Sequence, residues 1–350
     1  MNNRSRLFPI LIALGSLSVA TSAAAQQYKP EFKNSIVVGP TGPWGEAASK
    51  FADLLKERSQ GRINVKNYFS GQLFTSGLTA RPVAKKQTAE FQLLQDGVAD
   101  FALGSTINWS PQVNELNLFV MPFMYPSYQA LDAVQRGEPG NRLFKLMENK
   151  GVIPLAWGEN GFRQLTNSKR PVKSPTDLRE LRIRVVGSPI FIDVFRAMGA
   201  DPVEMNFAEL LVALQRGTVD GQENPVVSVI TPNKLWATQK HITLWNYAID
   251  PVILAVSKIT WDGLTPQDRE IVRKTAVEVM AWQKGAARAG LEGSTEAVDA
   301  LKKNGMMVVT PSAQELEAFR AKVRPVYDKW AAVVGVDLVK SAERIISETK

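Results

Sequence analysis

The chain has 350 residues, 45% of them hydrophobic, and its 42 Lys and Arg against 34 Asp and Glu give a formal net charge of +8. It contains no cysteine, which excludes disulfides, thiolate metal sites and cysteine nucleophiles. The charges are interspersed without a long basic block, so we expect no nucleic-acid partner. The length suits two domains of about 150 residues each.

The first residues have the pattern of a secretory signal peptide. Two arginines within the first six residues are followed by an apolar run over residues 7–20 and by small residues up to Ala25. This pattern predicts a segment over residues 1–25 that is cleaved between Ala25 and Gln26. The apolar run is shorter than the roughly 20 residues of a bilayer span, which disfavours the alternative of a retained membrane anchor. We expect a soluble protein that is exported to the periplasm.

After this segment, β-branched runs alternate with helical patterns. Apolar residues at helical spacing, such as Ala47, Phe51 and Leu54, follow a first run that ends in Gly-Pro. The alternation favours an α/β fold with mainly parallel strands. The predicted strands of this first series are residues 35–40, 62–69, 98–105 and 152–158, and the predicted helices are 46–60, 88–97 and a segment from Tyr128.

A second series of the same kind begins at Phe162. Ser188 as N-cap and Pro189 at the first helical position start one helix, and Asn206 with Glu209 predicts an Asn variant of the capping box on another. The predicted elements are strands 181–187 and 201–205, helices 188–199 and 207–217, a strand pair or bent strand at 250–264, a long helix from 266 towards 304, and amphipathic C-terminal helices.

The segment Leu-Gln-x-Gly-x-x-Asp occurs twice, at residues 94–100 and 214–220. Each copy joins a predicted helix to a predicted strand. Chance is one explanation of the match, and two similarly built α/β domains that share a helix-to-strand turn are the other. Two α/β domains with a cleft between them are the architecture of exported solute receptors.

The sequence offers little catalytic chemistry. His241 is the single histidine, for which we expect a structural role, and the motifs of serine hydrolases, zinc proteases and P-loops are missing. Residues 39–45 follow a strand and open a helix, but Pro40 and Pro43 remove amide donors that a phosphate site needs. We therefore expect no catalytic residue, metal or cofactor, and we expect Trp44 to form an apolar wall beside a ligand.

Arg163 and Arg184 both lie in or beside apolar, strand-like runs. A guanidinium in such a run requires a carboxylate partner or a water-filled cleft. The partner is an internal Asp or Glu in one interpretation. In the other, the planar guanidinium binds a ligand carboxylate through two parallel hydrogen bonds, which lysine cannot do.

The sequence of residues 181–225, LRIRVVGSPIFIDVFRAMGADPVEMNFAELLVALQRGTVDGQENP, closely resembles the DctP-like solute-binding proteins of tripartite ATP-independent periplasmic (TRAP) transporters. A weaker likeness covers nearly the whole mature chain. The resemblance implies a two-lobed α/β fold of the periplasmic-binding-protein kind (type II-like), with a cleft between the lobes, lobe-crossing strands and a long helix. It implies lobe I at residues 26–161 plus about 250–290, and lobe II at residues 162–249 plus about 291–350.

The resemblance also implies a non-enzymatic receptor, which we expect to be monomeric. Its ligand is a small organic anion, over which the two lobes close. The closed receptor docks on a membrane permease of one small and one large integral subunit, and a sodium gradient drives uptake.

Four site residues follow from the resemblance. Arg184 matches the family arginine that pairs with the ligand carboxylate, and Arg163 matches a second arginine that assists it. Asn224 matches the asparagine of the Gln-Glu-Asn-Pro segment that binds near the carboxylate. Phe207 matches an aromatic residue that packs against the ligand.

The polar residues before Asn224 have a different expected role. We expect Asp220, Gln222 and Glu223 to hold the backbone of a turn, as polar side chains do in turns, and to aim Asn224 into the cleft. An acid–base enzyme that uses Asp220, Glu223 or Glu159 is the rival class, although no metal cluster or tuned partner supports it.

The chain departs from the family pattern at about residues 74–86, where it has about a dozen extra residues. The contacts of the first lobe therefore stay open. Asn108 and Trp109 end a predicted strand that faces the cleft, and Trp157 is a similar candidate. Each of the three is alternatively a core residue.

The ligand is open among several organic acids. A monocarboxylate is favoured, because the motif provides one carboxylate clamp, and hydroxy or keto acids suit the aromatic residues. Sugar acids are the second candidate. Dicarboxylates require another cation in the first lobe, and the sequence does not place Arg81, Lys85 or Lys86. A receptor that serves a sensor instead of a permease is also consistent with the sequence.

Overall fold

The computed structural model of the protein describes residues 28–75 and 86–349. The strands in these ranges are β1 (Phe32–Ser35), β2 (Val65–Tyr68), β3 (Phe101–Ser105), β4 (Val152–Asn167), β5 (Arg182–Val185), β6 (Asp201–Glu204), β7 (Gly221–Pro225), β8 (His241–Thr243), β9 (Ile249–Ser257) and β10 (Met307–Val309). The α-helices are α1 (Gly42–Arg58), α2 (Gln72–Thr75), α3 (Glu90–Gln95), α4 (Thr106–Trp109), α5 (Tyr128–Arg136), α6 (Glu138–Asn149), α7 (Pro189–Ala197), α8 (Phe207–Gln215), α9 (Lys258–Gly263), α10 (Pro266–Arg288), α11 (Glu296–Lys303), α12 (Ala313–Val334) and α13 (Val336–Glu348).

None of the helices in these two ranges is long and apolar enough to cross a membrane. The predicted signal segment, residues 1–25, lies outside the described residues, as do Arg81 and Lys85.

Two long strands, β4 and β9, connect the two halves of the sheet. The strand order is β2-β1-β3-β9-β4-β7-β5-β6, with β8 beside β4 and β10 beside β8. Residues 152–162 of β4 pair with β9, whereas residues 163–167 pair with β7 and β8. β4 therefore begins in one half of the sheet and ends in the other, as expected of a lobe-crossing strand.

The sheet is mixed, whereas the alternating pattern predicts mainly parallel strands. β1 pairs in parallel with β2 and β3, and β5 pairs in parallel with β6 and β7. β9 is antiparallel to β3 and β4, and β7 is antiparallel to β4. Helical crossovers produce the parallel pairs within each half, while the two crossing strands run in opposite directions at the centre.

Buried apolar side chains pack on both halves of the sheet. In the first half, α10 packs against both α1 and β4, and Phe51 and Phe101 lie in contact beneath α1. In the second half, α7 and α12 pack together, and the Trp245 ring lies 5.2 Å from that of Phe319. One continuous cluster of buried side chains, which includes Val37 and Phe91 of the first half and Val185 and Phe195 of the second, also joins the two halves.

Four element boundaries differ clearly from the expectation. β4 continues to Asn167, past the predicted strand end at Gly158. β1 ends where the predicted strand 35–40 begins. The predicted strand pair at 250–264 is the single strand β9 followed by α9. The predicted helix from 266 towards 304 is two helices, α10 and α11, because Gly290 adopts a φ of 73° in the segment between them, a left-handed conformation that interrupts a helix.

Candidate ligand-binding site

A narrow cavity of about 30 Å³ lies between the two halves. Its walls include residues at or just beyond the carboxyl ends of β1, β3, β5 and β7, the usual place for ligands in α/β folds. This volume holds about one water molecule, so an organic acid requires the walls to separate. The lining residues are Val37, Val38, Trp44, Gln87, Ser105, Asn108, Asn160, Arg163, Arg184, Val186, Phe207, Asn224, Val229 and Asp250.

Arg184, on β5, is a buried cation without a carboxylate partner among the described residues. Its Nε and Nη2 both donate to the backbone oxygen of Met205, at 2.9 and 2.7 Å, and its guanidinium carbon lies 5.9 Å from the centre of the Phe207 ring. No carboxylate of the described residues lies within 4.0 Å of it. Burial lowers the pKa of Arg184 to about 10, and the more distant Glu223 opposes this. The guanidinium still carries its charge at neutral pH.

Arg163, on β4, is equally buried but fully paired. Its Nη2 donates to Glu223 Oε1 at 2.8 Å and to Asn224 Oδ1 at 3.0 Å, and its Nε also donates to the Glu223 carboxylate. Its Nη1 donates to Asp250 Oδ2 at 3.0 Å. Burial alone would lower the pKa of Arg163, but Glu223 and Asp250 raise it above its ordinary value. Arg163 therefore has the internal carboxylate partners of the first interpretation.

The segment before Asn224 is a central strand rather than a turn. β7 lies between β4 and β5, and its side chains connect to both neighbours. Gln222 donates to Thr166 of β4, and Asp220, just before β7, accepts from the backbone and side chain of Arg182 in β5. The Glu223 carboxylate accepts hydrogen bonds from Arg163 and, at 2.7 Å, from the hydroxyl of Tyr247. The expectation that these side chains hold a turn is therefore wrong.

Asn224 itself lines the cavity and is oriented by two neighbours. Its Oδ1 accepts from Arg163, and its Nδ2 donates to Gln222 Oε1 at 2.6 Å. An amide nitrogen carries two hydrogens, so one remains for a ligand.

A second group of polar side chains forms the opposite wall. The Asp250 carboxylate accepts from Ser105 Oγ at 2.6 Å, from Asn160 Nδ2 at 2.7 Å and from Arg163. Burial raises the pKa of Asp250, against the opposing effect of Arg163. Asn160 and Asp250 both line the cavity, so this wall presents mainly hydrogen-bond acceptors.

Gln87 joins the two halves across the cleft. Its amide nitrogen donates to Asn108 Oδ1 at 2.8 Å, and its amide oxygen accepts from the backbone N–H of Phe207 at 2.7 Å, at the first turn of α8. The same oxygen lies 3.5 Å from Arg184 Nη2. The predicted capping box of α8 is not formed, because Asn206 Oδ1 accepts from the Gln87 backbone N–H and makes no cap bond.

Comparison with known proteins identifies the family. Residues 34–332 match bacterial extracellular solute-binding protein family 7, the DctP family. The chain belongs to this family. It is 46% identical to a TRAP periplasmic solute-binding protein of Ralstonia eutropha H16, whose structure contains bound (S)-2-acetolactate; the match covers 92% of this chain and 100% of that one, with a TM-score of 0.87.

Two further relatives show the range of family 7. The sugar-acid-binding protein DctPAm of Advenella mimigardefordensis, in complex with galactonate, is 27% identical over 93% of this chain and 100% of that one, with a TM-score of 0.84. The C4-dicarboxylate-binding periplasmic protein DctP of Rhodobacter capsulatus is 30% identical over 98% of this chain and 99% of that protein. These matches confirm the two-lobed periplasmic-binding fold and the function of a TRAP solute-binding receptor.

The cavity of this family 7 receptor brings together six of the eight predicted site residues, which are Trp44, Asn108, Arg163, Arg184, Phe207 and Asn224. The other two lie elsewhere. Trp109 is fully buried, and its Nε1 donates to Glu90 at 3.1 Å; Trp157 stacks on Phe144 at 4.5 Å between ring centres. Trp109 belongs to the packed interior, whereas Trp157 is half-buried and packs against that core; neither lines the cavity.

Four polar residues of the cavity were not expected from the sequence: Gln87, Ser105, Asn160 and Asp250. Asp250 has a recognisable signal, since a carboxylate within the apolar strand β9 raises the same question as Arg184 does in β5. Gln87 and Asn160 have no such signal, because Gln87 follows the extra segment and Asn160 precedes a glycine in a polar stretch.

The charges and hydrogen-bonding groups of the lining suit the binding of a small polar molecule. Within residues 28–75 and 86–349, no group of three or more His, Cys, Asp and Glu side chains is placed to hold a metal ion.

Lys86 is paired with Glu204 near the cleft surface. A larger groove of about 550 Å³ between residues 122–124 and the helices α12 and α13 contains none of the predicted site residues.

Proposed function

We propose that this receptor captures small monocarboxylates and that Arg184 binds their carboxylate. The carrying observation is the difference between the two buried arginines of the cavity. Arg163 is neutralised by Glu223 and Asp250, whereas Arg184 has no carboxylate among the described residues. A ligand carboxylate supplies the missing counter-charge, and the guanidinium fork matches its two oxygens.

The lining of the cavity favours one carboxylate over two. In the described lining, Arg184 is the cation without an internal acid, and a second ligand carboxylate would meet the acceptor wall around Asp250. Two negative charges close together in a buried site repel each other strongly. The (S)-2-acetolactate bound to the Ralstonia protein is a small acid with one carboxylate, and the 46% identity of that protein to this chain favours a ligand of the same kind. Sugar acids such as galactonate are the second candidate, because a relative binds one.

The cavity is lined by residues of both lobes, which supports lobe closure as the binding mechanism. Arg184, Phe207 and Asn224 come from the second half of the sheet, and Trp44 and Asn108 come from the first. A ligand that contacts both halves stabilises the closed state relative to the open one. The proposed lobes keep the expected boundaries, residues 26–161 plus about 250–290 and residues 162–249 plus about 291–350.

The proposed cellular role is that of a periplasmic receptor for a transporter. The chain is exported with a signal segment that is cleaved between Ala25 and Gln26, and it acts in the periplasm as a monomer. It delivers its ligand unchanged to a TRAP permease of one small and one large integral subunit. As a receptor and not an enzyme, it requires no catalytic residue, metal or cofactor.

Titration calorimetry with (S)-2-acetolactate, galactonate and succinate tests the proposal. The monocarboxylates should bind and succinate should not, and Arg184→Lys should weaken binding by about tenfold or more because the paired hydrogen bonds are lost. Arg182→Lys is the matched control, because Arg182 lies on the same strand but pairs with Asp220 at the surface. Unchanged affinity in Arg184→Lys would contradict the assignment. Recovery of intact ligand by NMR distinguishes a receptor from an enzyme.

A further inference from the structure

One buried acceptor in the wall of the cavity lacks a partner. Asn160 is 3% exposed, and its Oδ1 has no hydrogen-bond partner in the described part of the chain. Buried polar atoms are almost always hydrogen-bonded in folded proteins, so an exception that lines a cavity calls for a partner from outside the chain. The remaining bonds of this residue decide what kind of partner fits.

The orientation of the Asn160 amide is fixed by its neighbour. Its Nδ2 donates to Asp250 Oδ2 at 2.7 Å. The reverse orientation would place the amide oxygen against a carboxylate, so the network assigns nitrogen and oxygen unambiguously. Ser105 and Arg163 hold Asp250 in turn. The unpartnered atom of Asn160 is therefore an acceptor, and it requires a donor.

The backbone at this position is also adapted to the cavity. The pairing of β4 with β9 shifts register between Glu159 and Gly161, which makes Asn160 the extra residue of a β-bulge. Bulges redirect a side chain and are frequent beside functional sites. Gly161 has a φ of 120°, a conformation that glycine adopts readily, and this permits the bulge.

From these observations we propose that Asn160 Oδ1 accepts a hydrogen bond from a hydroxyl group of the ligand. The inference rests on the proposed function, in which the ligand carboxylate binds Arg184. The cavity then has donors at one end, on Arg184 and Asn224, and acceptors on the wall formed by Asn160 and Asp250. A hydroxy monocarboxylate matches both ends, and the receptor selects it over the same acid without the hydroxyl.

The chemistry of the acceptor wall explains this selection. A ligand without the hydroxyl leaves Asn160 Oδ1 buried and unpaired, which weakens binding. A keto oxygen in the same place brings two acceptors together without a hydrogen between them. Sites built to bond a hydroxyl reject analogues that lack it more strongly than apolar pockets reject a change of size.

Calorimetry with matched acids tests the inference. The probes are 2-hydroxy-2-methylbutanoate, 3-hydroxy-2-methylbutanoate and 2-methylbutanoate, which differ only in the presence and position of one hydroxyl. For the wild-type protein, at least one hydroxy acid should bind about tenfold or more tightly than 2-methylbutanoate. In Asn160→Leu, the preference should fall to within about twofold, because the acceptor is gone.

Asn34→Leu is the matched control. Asn34 is fully buried, and its Oδ1 also lacks a partner in the described residues, but it lies on β1 and does not line the cavity. The control should keep the wild-type preference. If Asn160→Leu does not fold, the wild-type comparison decides alone.

The outcomes separate the inference from the proposed function. Equal affinities of the wild-type protein for the three acids would overturn the hydroxyl contact and leave the carboxylate site standing, with water as the partner of Asn160. A preference that persists in Asn160→Leu would also overturn the contact. If none of the three acids binds, and galactonate or succinate binds equally well to the wild-type protein and to Arg184→Lys, both are overturned.

Discussion

Arg163 and Arg184 are both buried arginines on neighbouring parts of one sheet, and both line the same cavity. Arg163 donates to two acids, Glu223 and Asp250, while Arg184 donates to a backbone carbonyl and faces the amide oxygen of Gln87. Burial opposes the charge of both residues. The counter-charge of Arg163 lies inside the protein. In the proposed function, the counter-charge of Arg184 comes from the ligand.

This difference shows how a structural and a ligand-binding arginine are told apart. Both arginines are buried in strands, so neither burial nor strand position distinguishes them. They differ in whether an internal carboxylate pairs with the guanidinium. Substitutions that remove one arginine at a time therefore have different expected effects on folding and on binding.

The largest expected effect is on the stability of Arg163→Met. Removal of this guanidinium leaves Glu223 and Asp250 buried without their counter-ion, which should lower the free energy of unfolding by about 3–5 kcal/mol. Urea denaturation of the ligand-free protein measures it. Arg182→Met, which removes a partly exposed arginine from its pair with Asp220, should lower the free energy of unfolding by much less. Equal losses in the two variants would contradict the internal role of Arg163.

Arg184→Met should separate binding from stability. It replaces a buried cation that lacks a carboxylate with an apolar side chain of similar length, so the free energy of unfolding without ligand should fall by less than about 1 kcal/mol or rise. Affinity for a monocarboxylate should fall by about a hundredfold or more, because the ligand carboxylate loses its counter-ion. Denaturation and calorimetry on the same preparation measure both. A stability loss as large as that of Arg163→Met would show that Arg184 is structural.

The smallest expected effect belongs to Gln87→Glu, which gives Arg184 an internal carboxylate. The new oxygen replaces an amide oxygen that lies 3.5 Å from Arg184 Nη2 and accepts from the Phe207 N–H. Stability without ligand should rise by about 1 kcal/mol, limited by the lost bond to Asn108. Affinity for monocarboxylates should fall by about tenfold, because the internal acid competes with the ligand. Gln87→Leu, without a charge, serves as the control in calorimetry, and equal affinities in the two variants would refute the competition.

Much of the site follows from local sequence signals. Arg184 and Phe207 lie in the segment that resembles the family, and Trp44 follows a strand end at the start of a helix. The fold class, the lobe-crossing strand and the long helix α10 were also expected from pattern and resemblance. These features depend on residues near each other in the chain, where hydrophobic periodicity and motifs are informative.

The pairing of side chains could not be predicted in the same way. Arg163 and Glu223 are 60 residues apart in sequence, Arg163 and Asp250 are 87 apart, and Gln87 and Phe207 are 120 apart. The two contacts of Arg163 exist only after β4, β7 and β9 have paired, and the contact of Gln87 exists only after its segment meets the start of α8. For the same reason, the sequence left open whether Arg163 had an internal partner, and it gave no indication of the bulge at Asn160.

The crossing strand β4 carries Asn160 and Arg163 midway along its 16 residues. These side chains consequently lie where the chain passes from one half of the sheet to the other. In the proposed closure, points far from this crossing would move further than points near it. A small adjustment at Asn160 or Arg163 would then accompany a larger displacement at the outer rims of the two lobes.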